Sequence, residues 1–73
     1  MTLEKFLVEL SEIFEIKKIN KNQKITNLKN WDSLTSLSVL SLIDSKFKNI
    51  KINVSKIEKF KSITELYNYV SKK

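Results

Sequence analysis

The sequence predicts an all-α domain: a small bundle of three main helices plus one short helix, with a long loop between helices one and two. Three observations carry this. Leu3, Phe6, Leu7, Leu10, Ile13 and Phe14 recur at helical spacing. The stretch "NWDSLTSLSVLSLID", residues 30 to 44, is strongly apolar and is opened by an acid–serine pair. Ile63, Leu66, Tyr67 and Val70 again follow helical spacing, behind a Ser62-Ile63-Thr64-Glu65 capping box.

Each element has its own signals. Helix one is expected over 3–17, with Thr2 as its cap, Glu4 in the first turn and Lys17 and Lys18 in the last. Glutamates 9, 12 and 15 face outward in this register. Residues 19 to 30, "INKNQKITNLKN", show no period and read as a loop pinned to the core by Ile19, Ile25 and Leu28. Loops this long are uncommon in compact domains, and this one must join helices that do not form a tight hairpin. Helix two begins at Asp32 or Ser33 and runs to Phe47 or Lys48, with Val39, Ile43 and Phe47 on its core face and Leu40 and Leu42 beside them. Ile50, Ile52 and Val54 alternate as a strand would, but no second strand is there to pair with, so a loop is expected. Ser55–Lys59 is read as one helical turn that tucks in Ile57 and Phe60. The predicted core is Phe6, Phe14, Val39, Ile43, Phe47, Leu66 and Val70.

At 73 residues the chain is one domain, 1–73, with 41% hydrophobic residues to build a small core. A domain this small buries about 60% of the surface its unfolded chain exposes, which leaves little room for a deep active site. There is no histidine, so the usual general base and the commonest metal ligand are missing. There is no glycine for a phosphate-cradling loop, and no cysteine for a disulfide or a thiolate metal site. The chain is therefore not expected to be an enzyme or to hold a metal. No apolar run reaches the ~20 residues of a membrane span, and the N-terminus carries acids where a signal peptide would be basic, so a cytoplasmic protein is expected.

The net charge of +6 invites a nucleic-acid reading. All 14 basic residues are lysine, however, and none is the arginine that bidentate base and phosphate recognition favours. Solvated lysine faces are the preferred reading. The charge is uneven: residues 1 to 16 hold four glutamates and one lysine, while the remainder holds thirteen lysines and four acids.

The acid–serine pair, Asp32-Ser33, is first of all ordinary helix capping. Its setting adds something. A serine at a helix N-terminus lies among unpaired backbone N–H groups at the positive end of the dipole, where a phosphate ester is welcome. Helix two is also more apolar than one small core requires. Leu34 and Leu37 lie off the core stripe near its start, and exposed apolar surface there points to a partner.

"DSLTSLSVLSLIDSKF" resembles the signature of acyl and peptidyl carrier proteins, in which an Asp-Ser-Leu motif opens the second helix. The likeness extends to the amphipathic first helix, the long loop, Phe47 at the end of helix two, and "SKIEKFKSITELYNYV" as the short third and the fourth helix. The resemblance implies an acyl-carrier-like bundle in which Ser33 bears covalent 4′-phosphopantetheine, transferred from coenzyme A by a separate magnesium-dependent transferase. Asp32 and Leu34 would serve transferase recognition. Trp31, Leu34, Leu37 and Ser41 would serve docking to acyl- or aminoacyl-activating and acyl-transferring enzymes. The carrier itself, a monomer, would catalyse nothing; it would hold acyl or aminoacyl thioesters and present them.

Two features depart from the family pattern. Many carriers have glycine two residues before the aspartate, where this chain has Asn30. Carriers of fatty-acid synthesis are typically acidic along helix two, whereas here Ser36, Ser38, Ser41 and Ser45 occupy it and Asp44 precedes Lys46 and Lys48. Complementary charge governs partner choice and on-rate, so a specialised biosynthetic pathway is expected. The alternative is a small basic helical module for nucleic-acid binding or regulatory interaction, or an adaptor controlled by phosphorylation of Ser33.

Overall fold

A computed structural model describes residues 1–47 and 50–72. It is all-helical among those residues: α1 is Leu3–Phe14, α2 Ser33–Lys46, α3 Val54–Ile57 and α4 Ile63–Ser71, with one turn of 3₁₀ helix at Ile25–Asn27. No helix among them is long and apolar enough to cross a membrane.

α1 starts where Thr2 accepts a hydrogen bond from the Lys5 backbone N–H, and it buries Phe6, Leu10 and Phe14 completely. It ends three residues short of the expected Lys17. Glu15 is left-handed (φ 56°, ψ 43°), and the N–H groups of Glu15 and Ile16 both donate to the Ser11 carbonyl. This Schellman-like closure turns the chain so that Ile19 can reach the core. Lys17 and Lys18 consequently lie beyond the helix, and Glu15 belongs to its cap; of the glutamates read as outward-facing, Glu9 is half-buried.

The long loop is held as expected: Ile19, Ile25 and Leu28 are buried. It also does something the sequence did not disclose. The Gln23 carbonyl accepts from the Ile63 N–H, and the Lys21 carbonyl accepts from both the N–H and the hydroxyl of Thr64. Together with Ser62, whose hydroxyl accepts from the Glu65 N–H, these bonds satisfy the first backbone donors of α4. Glu65 completes a displaced capping box: its carboxylate accepts from the Lys61 N–H, one residue before the cap. The loop is long because it closes the start of a distant helix.

α2 presents Val39 and Ile43 to the core, with Leu40 and Leu42 half-buried beside them. Phe47 is the C-terminal cap rather than a helical residue, and it is half-buried, not a full core member; the expected extension to Lys48 lies outside the described residues. Its ring meets Phe6 and Tyr67 edge-on at centroid distances of 6.1 Å. Residues 50–53 form no helix or strand and run to Asn53, which caps α3 by accepting from the Lys56 N–H. α3 begins one residue before the expected Ser55; Ile57 is buried and Phe60 half-buried. α4 closes the core with Ile63, Leu66 and Val70, and the Tyr67 hydroxyl donates to the Met1 carbonyl.

Two stability measurements check this account. A left-handed non-glycine residue costs about 1–2 kcal/mol, partly offset by the entropy that glycine would lose, so Glu15→Gly is expected to stabilise by about 0.5–1 kcal/mol and raise the thermal midpoint by several degrees. An unchanged or lower midpoint would place the strain elsewhere. Phe47→Ala is expected to cost about 2–3 kcal/mol in denaturant unfolding, less than the ~3–5 kcal/mol of a fully buried phenylalanine such as Phe6. Equal losses at the two positions would contradict the half-buried placement.

Candidate functional site

The start of α2 is set by a short chain of polar contacts. Asn30 adopts the left-handed conformation (φ 73°), which glycine favours and which asparagine tolerates better than most residues. Its carboxamide N–H donates to the Phe14 carbonyl at 2.8 Å, tying the end of α1 to the approach of α2. Its carbonyl accepts from the Thr35 hydroxyl at 2.9 Å. Trp31, half-buried, stacks on Phe14 with ring centroids 6.0 Å apart and planes 17° from parallel. This stacking packs Trp31 against the end of α1.

Asp32 is the N-cap. Its carboxylate accepts from the Thr35 N–H at 2.9 Å, while the Asp32 N–H donates to the Thr35 hydroxyl at 2.8 Å, a reciprocal capping box. The Thr35 backbone N–H, aided by the Thr35 hydroxyl and the Leu34 N–H, holds the Asp32 carboxyl below its ordinary value against a smaller opposing effect of desolvation.

Ser33 is thus the first residue of α2, exposed, with capping left to its neighbour. The hydroxyls around it are engaged locally. Ser36 is buried and donates to the Ser33 carbonyl, and Ser38 donates to the Leu34 carbonyl. Among the described residues no such bond engages the Ser33 hydroxyl. One exposed hydroxyl therefore stands at the positive end of a 14-residue helix.

Leu34 and Leu37 are 74% and 58% exposed, large values for leucine, and with exposed Ser41 they continue along the outer face of α2 behind Ser33. A cavity of about 460 Å³ opens beside Leu37 and Ser41, walled on its far side by Ile50, Lys51 and Ile52. The structure therefore brings Ser33, Leu34, Leu37 and Ser41 onto one surface. Trp31 sits apart, over Phe14, and Asp32 is turned to its backbone partners. Asn30 was missed as a positioning residue. Its signal was present: it occupies the place where a glycine would be natural, two residues before the aspartate.

Asn30→Ala is expected to cost about 1–3 kcal/mol, since alanine strains in the left-handed region and the bond to Phe14 is lost. Asn30→Gly loses only the bond, about 0.5–1.5 kcal/mol, and a reversed order in urea unfolding would refute the assignment. For Asp32 the bonded form is the carboxylate. Its contribution is complete above the ordinary aspartate pKa and is lost as pH falls through the lower folded value. Asp32→Asn, which caps at any pH, should match the parent near neutrality and outlast it below about pH 4, as thermal midpoints would record.

Compared with family models, curated proteins and solved structures, the chain matches none.

Proposed function

We propose that this chain is an acyl carrier protein of a specialised biosynthetic pathway. Acyl or aminoacyl intermediates are held as thioesters on 4′-phosphopantetheine joined to Ser33. The observation that carries the reading is the exposed hydroxyl of Ser33 at the first position of α2, with Asp32 doing the capping and Leu34 and Leu37 exposed directly behind.

The chemistry suits the site. The Ser33 oxygen attacks the β-phosphorus of coenzyme A on a separate transferase and the phosphoanhydride bond breaks. The adenosine bisphosphate leaves, and a phosphodiester remains beside the α2 N-terminus, whose dipole favours its negative charge. The chain has no cysteine, so the arm would supply the one thiol and no side chain could compete for the cargo as a thioester. This chain contributes position rather than catalysis: a tethered thioester reaches each partner enzyme at raised effective concentration. The transferase and the acyl- or aminoacyl-activating and acyl-transferring enzymes are its partners, a monomer its working form, and the cytoplasm, where coenzyme A is available, its place. Asp44 is the lone acid along α2, so partners that read rows of carboxylates would dock poorly.

Incubation with coenzyme A, magnesium and a broad-specificity transferase should raise the intact mass by one phosphopantetheine and create one titratable thiol. Ser33→Ala should abolish both and keep the helical circular dichroism. Asp32→Asn preserves the cap, so slower modification of that variant would assign the carboxylate to transferase recognition. Modification that persists in Ser33→Ala refutes the site; a phosphate mass without a thiol supports the phosphorylated adaptor.

A further inference from the structure

The structure holds a second feature that shares Leu37 and Ser41 with the docking face of the carrier reading and extends away from Ser33. The cavity beside Leu37 and Ser41 shares two of its walls, Lys51 and Ile52, with a neighbouring cavity of about 440 Å³ whose other lining residues are Asn53, Lys56 and Tyr69. The two adjoin at Lys51 and Ile52, and the grooved surface they make together has ends of different character. At the α2 end the walls are chiefly aliphatic: Leu37, Leu40, Ile43, Ile50 and Ile52, with Asp44 the one carboxylate. At the α4 end the lining holds two lysines and, among the described residues, no carboxylate.

The cationic end is preorganised. The Lys56 ammonium lies 5.7 Å from the centroid of Phe60 and 5.1 Å from that of Tyr69, and those rings are 5.3 Å apart. Two aromatic faces thus hold one long side chain and limit the rotamer entropy it would lose on pairing. Asn53 commits its carboxamide oxygen to the Lys56 N–H, which leaves its NH₂ as a donor.

We propose that this groove docks an acidic protein segment in which an apolar side chain is followed by Asp or Glu. The apolar side chain seats against Leu37, Leu40 and Ile52, and the carboxylates meet Lys51 and Lys56. Charge complementarity selects this occupant, since a basic segment would face Lys51 and Lys56 at that end with no carboxylate among the described lining residues. A single-stranded nucleic acid fits less well. It needs open aromatic faces on which bases stack, and here Lys56 covers the rings of Phe60 and Tyr69. The aliphatic half of the groove offers a phosphodiester only Ser41 and Lys51 among its described residues, beside the Asp44 carboxylate. The surface stands on its own geometry and does not require Ser33 to be modified.

The test uses the intact, isotope-labelled chain and three probes: a short peptide of leucine and glutamate, its leucine–lysine counterpart, and a short oligothymidine. The leucine–glutamate peptide should shift the amide resonances of Leu37, Ser41, Lys51, Ile52 and Tyr69. Its affinity should fall about tenfold or more in Lys51→Glu/Lys56→Glu, and markedly between about 0.1 M and 1 M salt. Lys51→Gln/Lys56→Gln, which removes charge without reversing it, should weaken binding less and retain the helical circular dichroism. Ser33→Ala should bind like the parent, so failure here and failure of the carrier reading are separate results. The proposal is overturned if the leucine–glutamate peptide shifts no groove resonance, if the lysine peptide binds as well, or if both double variants leave affinity unchanged. Oligothymidine binding the same residues as tightly would overturn it in favour of a nucleic-acid surface.

Discussion

Phe14 serves twice at the junction between α1 and α2. Its ring is buried and stacks on Trp31, and its carbonyl, one of the last in α1 and without an intrahelical partner, accepts the Asn30 carboxamide. An unpaired carbonyl at a helix end is an obligation that water or a side chain must meet. Here it is met by a residue sixteen positions away, so the chemistry of one helix terminus fixes the entry to another. Were the carbonyl solvated instead, Asn30 would have no anchor, and the approach to α2 would be held less firmly although Asp32 and Thr35 still cap it. Ser33 is where it is because Phe14 ends α1 where it does.

The same logic governs the other long connection. α4 has nine residues, too few to be stable alone, and its first N–H groups would be unsatisfied without help. The Lys21 and Gln23 carbonyls supply that help from the loop, while Ile19, Ile25 and Leu28 keep the loop against the core. Lys24 adds a bond from its ammonium to the Glu58 carbonyl. A chain with no glycine must make such turns with residues that resist them, and Glu15 and Asn30 both take left-handed conformations. Asparagine bears this more easily than glutamate, and Asn30 gains a side-chain bond to the Phe14 carbonyl in return, so the two strained positions are unequal.

Much of this was legible in the sequence where the physics is local. Helical spacing gave the buried faces of α1 and α4, and the capping residues Thr2, Asp32 and Ser62 stand at the ends where such residues belong. The three apolar residues of the loop were identifiable because a polar segment has no other reason to carry them. What could not be read was set by contacts distant in sequence. The end of α1 at Phe14 depends on a turn that Ile19 and Asn30 require. Phe47 carries the spacing of a core residue but sits past the last helical position, where Phe6 and Tyr67 cover only part of it. Ser36 looked like one more surface serine, yet it is buried, its hydroxyl bonded to the Ser33 carbonyl one turn earlier. Spacing alone does not tell a surface hydroxyl from one that satisfies a buried backbone.

The first four hydroxyls of α2, those of Ser33, Thr35, Ser36 and Ser38, show how these constraints set one of them apart. Thr35 completes the capping box, and Ser36 and Ser38 bond backward to carbonyls of the first turn, a habit of serine and threonine in helices. Each of these bonds restricts a side chain and lowers its availability to another molecule. Ser33 escapes because it occupies the first helical position, where the carbonyls behind it belong to the incoming chain and not to a preceding turn. The helix thus combines a tightly bonded first turn with a hydroxyl at its tip that is unengaged among the described residues, and Leu34 and Leu37 behind it are exposed. A capping device needs none of this exposure, since Asp32 and Thr35 complete it between themselves. Two leucines left in water at a helix start add little to the burial that holds a small domain together, and an exposed apolar patch is what a partner would cover. That combination, a satisfied cap beside an exposed apolar surface, is the physical ground on which the proposed carrier function rests.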